Sequence, residues 1–99
     1  MTGSARCALL RHSRGALEQA AGRHGVRDIR VFGSVARGDH TVESDIELLV
    51  ELDRGRTLID LIGFQRDAEE ILGTRVSAAA PRFLKPRVRA RAVREACPL

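Results

Sequence analysis

The chain has no tryptophan and no tyrosine, and its three aromatic residues are all phenylalanine, Phe32, Phe64 and Phe83. Its core must therefore be aliphatic. Proteins that hold single-stranded nucleic acid by stacking bases on aromatic rings have almost no counterpart here, so a nucleic-acid partner is not expected. Cysteine is nearly absent too: Cys7 and Cys97 sit near opposite ends and form no ligand-type pair. With no secretory leader in the basic start MTGSARCALLRH, a reduced, cytoplasmic setting is the expectation. No segment approaches the roughly 20 apolar residues that span a bilayer, and no membrane role is expected. Acids are missing from residues 82–94, where Arg82, Lys85, Arg87, Arg89, Arg91 and Arg94 concentrate the net charge of +4. That basic balance suits phosphate-bearing ligands, nucleic acid or an acidic protein surface, and does not choose among them. The plain reading of this segment is a solvated helix face.

Hydrophobic residues make up 43% of the chain and charged residues 30%, which fits an ordinary globular protein rather than a disordered one. Ninety-nine residues suffice for one domain, residues 1–99, with a small core. A homo-oligomer or a partner would be a natural source of further stability. Residues 5–24 read as a helix stopped by Gly25, with Ala8, Leu9, Leu17, Ala20 and Ala21 as its stripe. Residues 28–33 read as a strand in which Ile29, Val31 and Gly33 alternate with Asp28, Arg30 and Phe32. One helical turn over Ser34–Arg37, closed by Gly38, and a polar loop over 39–44 lead to a second strand at 45–52. Thr57 is a good N-cap, with Asp60 completing a shortened capping box, for a helix that runs to Leu72 and ends at Gly73. Its apolar positions are Leu58, Leu61, Ile62, Ala68 and Leu72. A third strand is expected at 74–79 and a last helix at 86–96, opened by Pro86 and packed through Val88, Ala92 and Ala96. This alternation implies an α/β (α+β) protein, a small mixed sheet with helices packed against it.

The chemistry concentrates in residues 32–50, FGSVARGDHTVESDIELLV. Gly33 lets the backbone approach a ligand closely, and a helical turn after it offers unpaired N–H groups to phosphate oxygens, with the Ser34 hydroxyl as a further donor. The same Gly-Ser pair also suits a plain strand-to-helix turn with Ser34 as cap. On the second strand Asp45 and Glu47 lie two apart, so both project from one face. Paired carboxylates on a sheet face repel unless solvent or a cation accommodates them. Mg²⁺ takes oxygen ligands and keeps substrate phosphates in its shell, so a metal-bound nucleoside triphosphate would satisfy both features. His12, His24 and His40 are scattered without metal spacing and read as surface residues.

The run G-S-V-A-R-G followed by S-D-I-E-L-L-V resembles the minimal nucleotidyltransferase family of the DNA polymerase beta-like superfamily. The flanking HGVRDIRVFGS, RTLIDLIGFQRDAEEILG and LKPRVRARAVREA extend the resemblance from about residue 15 to the C-terminus. It implies a nucleotidyltransferase-like fold in which Gly33 and Ser34 hold the phosphates and Asp45 and Glu47 are the catalytic acids that bind one or two Mg²⁺ ions. Arg37 matches the family's turn arginine, either as a phosphate contact or as a brace for the loop. The implied reaction is attack by an acceptor hydroxyl on the α-phosphate of a nucleoside triphosphate, with pyrophosphate released. Prokaryotic proteins of this type resemble antitoxins that transfer AMP from ATP to a hydroxyl of a HEPN-type RNase toxin encoded nearby.

Two departures from the family pattern stand out. Glu47 replaces the usual aspartate, one methylene shorter. Ser77 stands where the third strand of the family carries its third metal-site acid, within Val76-Ser77-Ala78-Ala79. A neutral hydroxyl is a weak Mg²⁺ ligand and no general base, so a second expectation is a non-catalytic binding antitoxin that masks its partner. Substitute acids would have to come from Glu43, Asp53 or another chain. A third option, a basic nucleic-acid-binding module, rests on the arginine-rich end alone and is disfavoured by the lack of tyrosine and tryptophan.

Overall fold

A computed structural model describes residues 8–38 and 45–99. Residues 8–12 are helical and, after a turn at Ser13, continue into α1 (Arg14–His24). The chain then forms β1 (Val26–Phe32), α2 (Gly33–Arg37), β2 (Ile46–Leu52), α3 (Leu58–Leu72) and β3 (Val76–Ala79). A 3-10 turn (Pro81–Phe83), α4 (Pro86–Glu95) and a two-residue β4 (Cys97–Pro98) complete it. The four strands lie in the order β3-β2-β1-β4. β1 runs antiparallel to both β2 and β4, and β2 runs parallel to β3. A parallel neighbour demands a crossover, and α3 supplies it. The expected mixed sheet with packed helices is present. The loop at 39–44 and the first residues of the expected N-terminal helix lie outside the described residues.

One sheet face is the core. Leu17, Ala20 and Ala21 of α1 and Leu61, Phe64, Ala68 and Leu72 of α3 meet Val31, Ile46, Leu48, Val50 and Val76 there. Phe64, Leu17, Ile46, Leu48 and Val50 are fully excluded from solvent. At α3 the expected stripe needs correction. Leu58 and Ile62 are exposed, and the buried row is Leu61, Phe64, Ala68 and Leu72. At 100° per residue these four span one arc, which leaves Leu58, Ile59 and Ile62 on the neighbouring arc. The cap is as expected: the Thr57 hydroxyl accepts from the Ile59 N–H, and the Asp60 carboxylate accepts from the Thr57 N–H at 2.8 Å. That backbone hydrogen bond, with the Arg56 guanidinium beside it, holds the Asp60 carboxyl below its ordinary value.

β1 does not alternate simply. Its pairing with β2 slips by one residue between Arg27 and Arg30, and Asp28 sits at φ 55 in the left-handed region. This bulge puts Val26 and Val31, five apart, both in the core. His24 is not a free surface residue either. Its Nε2 lies 2.8 Å from Asp67 Oδ2, tying α1 to α3, and Gly63 leaves room for the ring, since a Cβ there would come within 2.7 Å of it.

The other sheet face is only partly covered. Leu49, fully buried, points that way from β2. The 3-10 turn packs on β2, and α4 packs on β1 and α2. Of the expected α4 stripe, Ala92 is buried, Ala96 is half-buried and Val88 is exposed. No helix among the described residues is long and apolar enough to cross a membrane.

Candidate functional site

Of the residues that the sequence singles out, Gly33, Arg37 and Glu47 line one cavity on the partly covered face; Ser34, Asp45 and Ser77 do not line it. Gly33 opens α2 at φ 74, directly after the last residue of β1. An added Cβ would fall 1.6 Å from Glu47 Oε2, and the left-handed φ disfavours any side chain, so glycine lets the backbone turn against this carboxylate where it stands. Ser34 follows in the same short helix, and Gly38 closes it, its N–H directed at the Ser34 and Val35 carbonyls.

Glu47 lies in the middle of a row across three strands. It pairs with Phe32 on β1 and with Ser77 on β3, so the three side chains share one face. The register therefore sets a hydroxyl beside Glu47 on the adjacent strand. Among the described residues no group of three or more histidine, cysteine or acidic side chains is disposed to hold a metal ion. Asp53, weighed as a substitute acid, is excluded by position. It follows the far end of β2 and pairs with Arg27 at 3.1 Å, six residues beyond Glu47, on the order of 20 Å along an extended chain. Glu43 lies outside the described residues, as does His40.

Asp45 stands one residue ahead of β2, at the rim. Its Oδ1 lies 3.1 Å from Arg75 Nε, and the strand is anchored beside it by the Ile46 N–H donating to the Arg75 carbonyl at 3.0 Å. A cation approaching Asp45 must therefore compete with an exposed guanidinium, a weak obstacle for a surface pair.

Between the sheet and α4 lies a cavity of about 420 Å³. Phe32 lines it from β1, Gly33 and Arg37 from α2 and Glu47 from β2, while Val88, Arg91, Ala92 and Glu95 line it from α4. Arg37 Nη1 donates to both oxygens of Glu95, at 3.0 and 3.2 Å. Of the two roles open to Arg37, the structure displays a brace between the turn and the last helix. Arg91 and Glu95 were not anticipated as site residues. The signal was present in the spacing 88, 91, 92, 95, which is one face of a helix, but a basic helix with a single acid reads more simply as solvated. A larger cleft of about 550 Å³ lies between residues 10–14, α2 and the C-terminus. It is lined by Leu10, Val31, Val35, Ala36 and Leu99 with Arg11 and Arg14, and no carboxylate side chain lines it. Of these two clefts, the smaller is the one lined by residues of the candidate site.

Comparison with known proteins agrees with this geometry. Residues 11–98 match the family described as Nucleotidyltransferase domain. Protein adenylyltransferase MntA of Thermococcus cleftensis is 36% identical over 73 residues, 74% of each chain. A protein of Methanocaldococcus jannaschii, provisionally named a protein adenylyltransferase, is 36% identical over 74 residues, 75% of this chain and 80% of its own. A solved structure provisionally described as a minimal nucleotidyltransferase superposes with a TM-score of 0.81 at 42% identity, covering 100% of this chain and 97% of that one. A toxin–antitoxin structure with AMP-PNP shares the fold at a TM-score of 0.65 and 17% identity, covering 99% of this chain and 72% of that one. The glycine turn packed on a strand acid, the parallel third strand and the match over nearly the whole chain together make this protein a member of the nucleotidyltransferase domain family.

Proposed function

We propose that the protein transfers AMP from ATP to a hydroxyl of a partner toxin, a helical RNase of the HEPN type encoded nearby, and so acts as an antitoxin. The observation that carries this reading is the contact of Gly33 with Glu47, which brings a phosphate-binding turn against a metal-type carboxylate in one cavity. The names of the relatives supply the transferred group, and the toxin–antitoxin neighbour supplies the kind of partner.

The donor set fits one hard cation. Asp45, just ahead of β2, and Glu47 on it offer carboxylate oxygens two residues apart, Ser77 adds a hydroxyl beside Glu47, and the missing Cβ of Gly33 lets the Glu47 carboxylate lie against the turn that would hold a phosphate. Mg²⁺ held there would offset the charge that develops on the transferring phosphoryl group. The rest is the work of the chain itself. The turn N–H groups and the Ser34 hydroxyl orient the phosphates, and the Arg37–Glu95 ion pair fixes the turn relative to α4. With Ser77 in place of a third acid, no side chain of the row takes the proton of the acceptor hydroxyl, so that proton passes to solvent or to the partner. Turnover is correspondingly slow.

Incubation with α-labelled ATP, Mg²⁺ and the neighbouring gene product tests this. Label on the partner that disappears with Asp45→Ala is the expected outcome. Absence of transfer by the wild-type protein would remove the enzymatic reading.

The position of Ser77 favours one second reading, a non-catalytic antitoxin that masks its partner. It predicts a tight complex unaffected by Asp45→Ala or by removal of Mg²⁺. A Ser77→Asp variant that transfers label where the wild type does not would identify a decayed enzyme.

A further inference from the structure

Resting on that reading of the site, we infer that Arg91 is the residue that holds the terminal phosphates of the nucleoside triphosphate and receives the departing pyrophosphate. The basic segment 82–94 contains six cations. Arg82 stacks over Phe83 and donates to the Arg56 carbonyl, and Arg89 donates to the Leu84 carbonyl. Lys85, Arg87 and Arg94 do not line the cavity; Arg91 does. It shares the cavity-lining stripe of α4 with Val88, Ala92 and Glu95, because residues spaced by three and four lie on one helix face. Among the described residues, Arg91 has no carboxylate partner.

Charge balance within the cavity assigns the roles. Two acids and two arginines line it, and Glu95 already compensates Arg37 through both of its oxygens. Glu47 is left for a cation and Arg91 for an anion. In the transfer, a bond forms between the acceptor oxygen and the α-phosphorus, and the bond from that phosphorus to the bridging oxygen of the β-phosphate breaks. Pyrophosphate leaves with the electron pair, and the hydroxyl proton passes to water. The charge growing on the leaving group is what a planar guanidinium, with donors spaced to meet two oxygens, stabilises best. The sequence conceals this role because an arginine among arginines carries no motif.

Calorimetric titration of the full chain with ATP, AMP and inorganic pyrophosphate, in the presence of Mg²⁺, tests the inference. Arg91→Ala should weaken ATP and pyrophosphate by at least about tenfold, the scale of a charge-assisted pair, and leave AMP unchanged. Arg94→Ala, which removes the same charge outside the cavity, should leave all three unchanged, and Arg91→Lys should recover part of the loss. Undiminished ATP and pyrophosphate binding by Arg91→Ala overturns the assignment, and so does an equal loss in Arg94→Ala, which would indicate a diffuse basic field. A wild-type protein that binds neither ATP nor pyrophosphate would instead remove the nucleotide reading of the whole site.

Discussion

The two faces of the sheet are built for different ends. The face under α1 and α3 is closed and apolar: Phe64 is fully buried there among aliphatic side chains, and none of the described residues in that core is charged. The face toward α4 carries Phe32, Glu47 and Ser77 in one row and a cavity holding two acids and two arginines. β2 belongs to both, for Leu48 and Leu49, adjacent in sequence, are fully buried on opposite sides. Carboxylates tolerated at the rim of a half-covered face would be costly in the core, where each would need a partner. The aliphatic core and the candidate site thus lie on opposite faces of one sheet. Substitutions on the two sides should fail in different ways.

The largest effect is expected in the core. Phe64→Ala removes a fully buried ring and leaves a void, so it should cost about 3–5 kcal/mol, measured as a shift of the denaturation midpoint at unchanged slope. In a domain of this size that is a large part of the total. Loss below 1 kcal/mol would mean that the two faces are not as different as their packing indicates.

Gly33→Ala should reverse the pattern. Its Cβ meets the Glu47 carboxylate, which can swing away, and the left-handed φ adds about 1–2 kcal/mol of strain. The main loss should be functional, about a hundredfold or more in phosphate binding or transfer. The comparison breaks if this variant melts as badly as Phe64→Ala while still binding nucleotide.

A smaller effect comes from the ion pair that fastens α1 to α3. The His24 ring, and secondarily the Arg23 guanidinium, hold the Asp67 carboxyl below its ordinary value of 3.8. A depressed carboxyl stabilises the fold above its unfolded pKa, and that contribution is lost as pH falls through the lower folded value. Asp67→Asn should therefore destabilise at pH 7, where the contacts to His24 and Arg23 are lost, and the difference from wild type should vanish as pH falls below about 4, flattening the acid limb of the stability–pH curve. An unchanged acid limb would deny the pair its role.

Much of this architecture is legible in the sequence. The Thr57 and Asp60 capping box, the Gly73 stop at φ 67 and the Gly-Ser turn are local devices, each specified by neighbouring residues. The bulge at Asp28 is not, because any residue can be pushed into a bulge when the partner strand demands the register. β4 is two residues long with a proline, too short to have a period. At α3, Leu58 and Ile62 look as apolar as Leu61, and only the arc fixed by Phe64 and Ala68 decides which side is buried. The site divides in the same way. Glu47 and Ser77 sit on strands, where spacing of two determines the face, while Asp45 stands just ahead of β2 at its rim. Arg91 and Glu95 become neighbours of that face only because α4 folds back across the sheet.

The half-covered face is proposed to bind a metal-bound nucleotide through carboxylates that the fold does not need. Titration of a non-hydrolysable ATP analogue with and without Mg²⁺, into wild-type protein and Asp45→Asn, tests it most directly. The account predicts one-to-one, Mg²⁺-dependent binding by the wild type and loss of that dependence in the variant, with thermal unfolding unchanged. Binding that ignores both Mg²⁺ and the substitution, or no binding by the wild type, would contradict it.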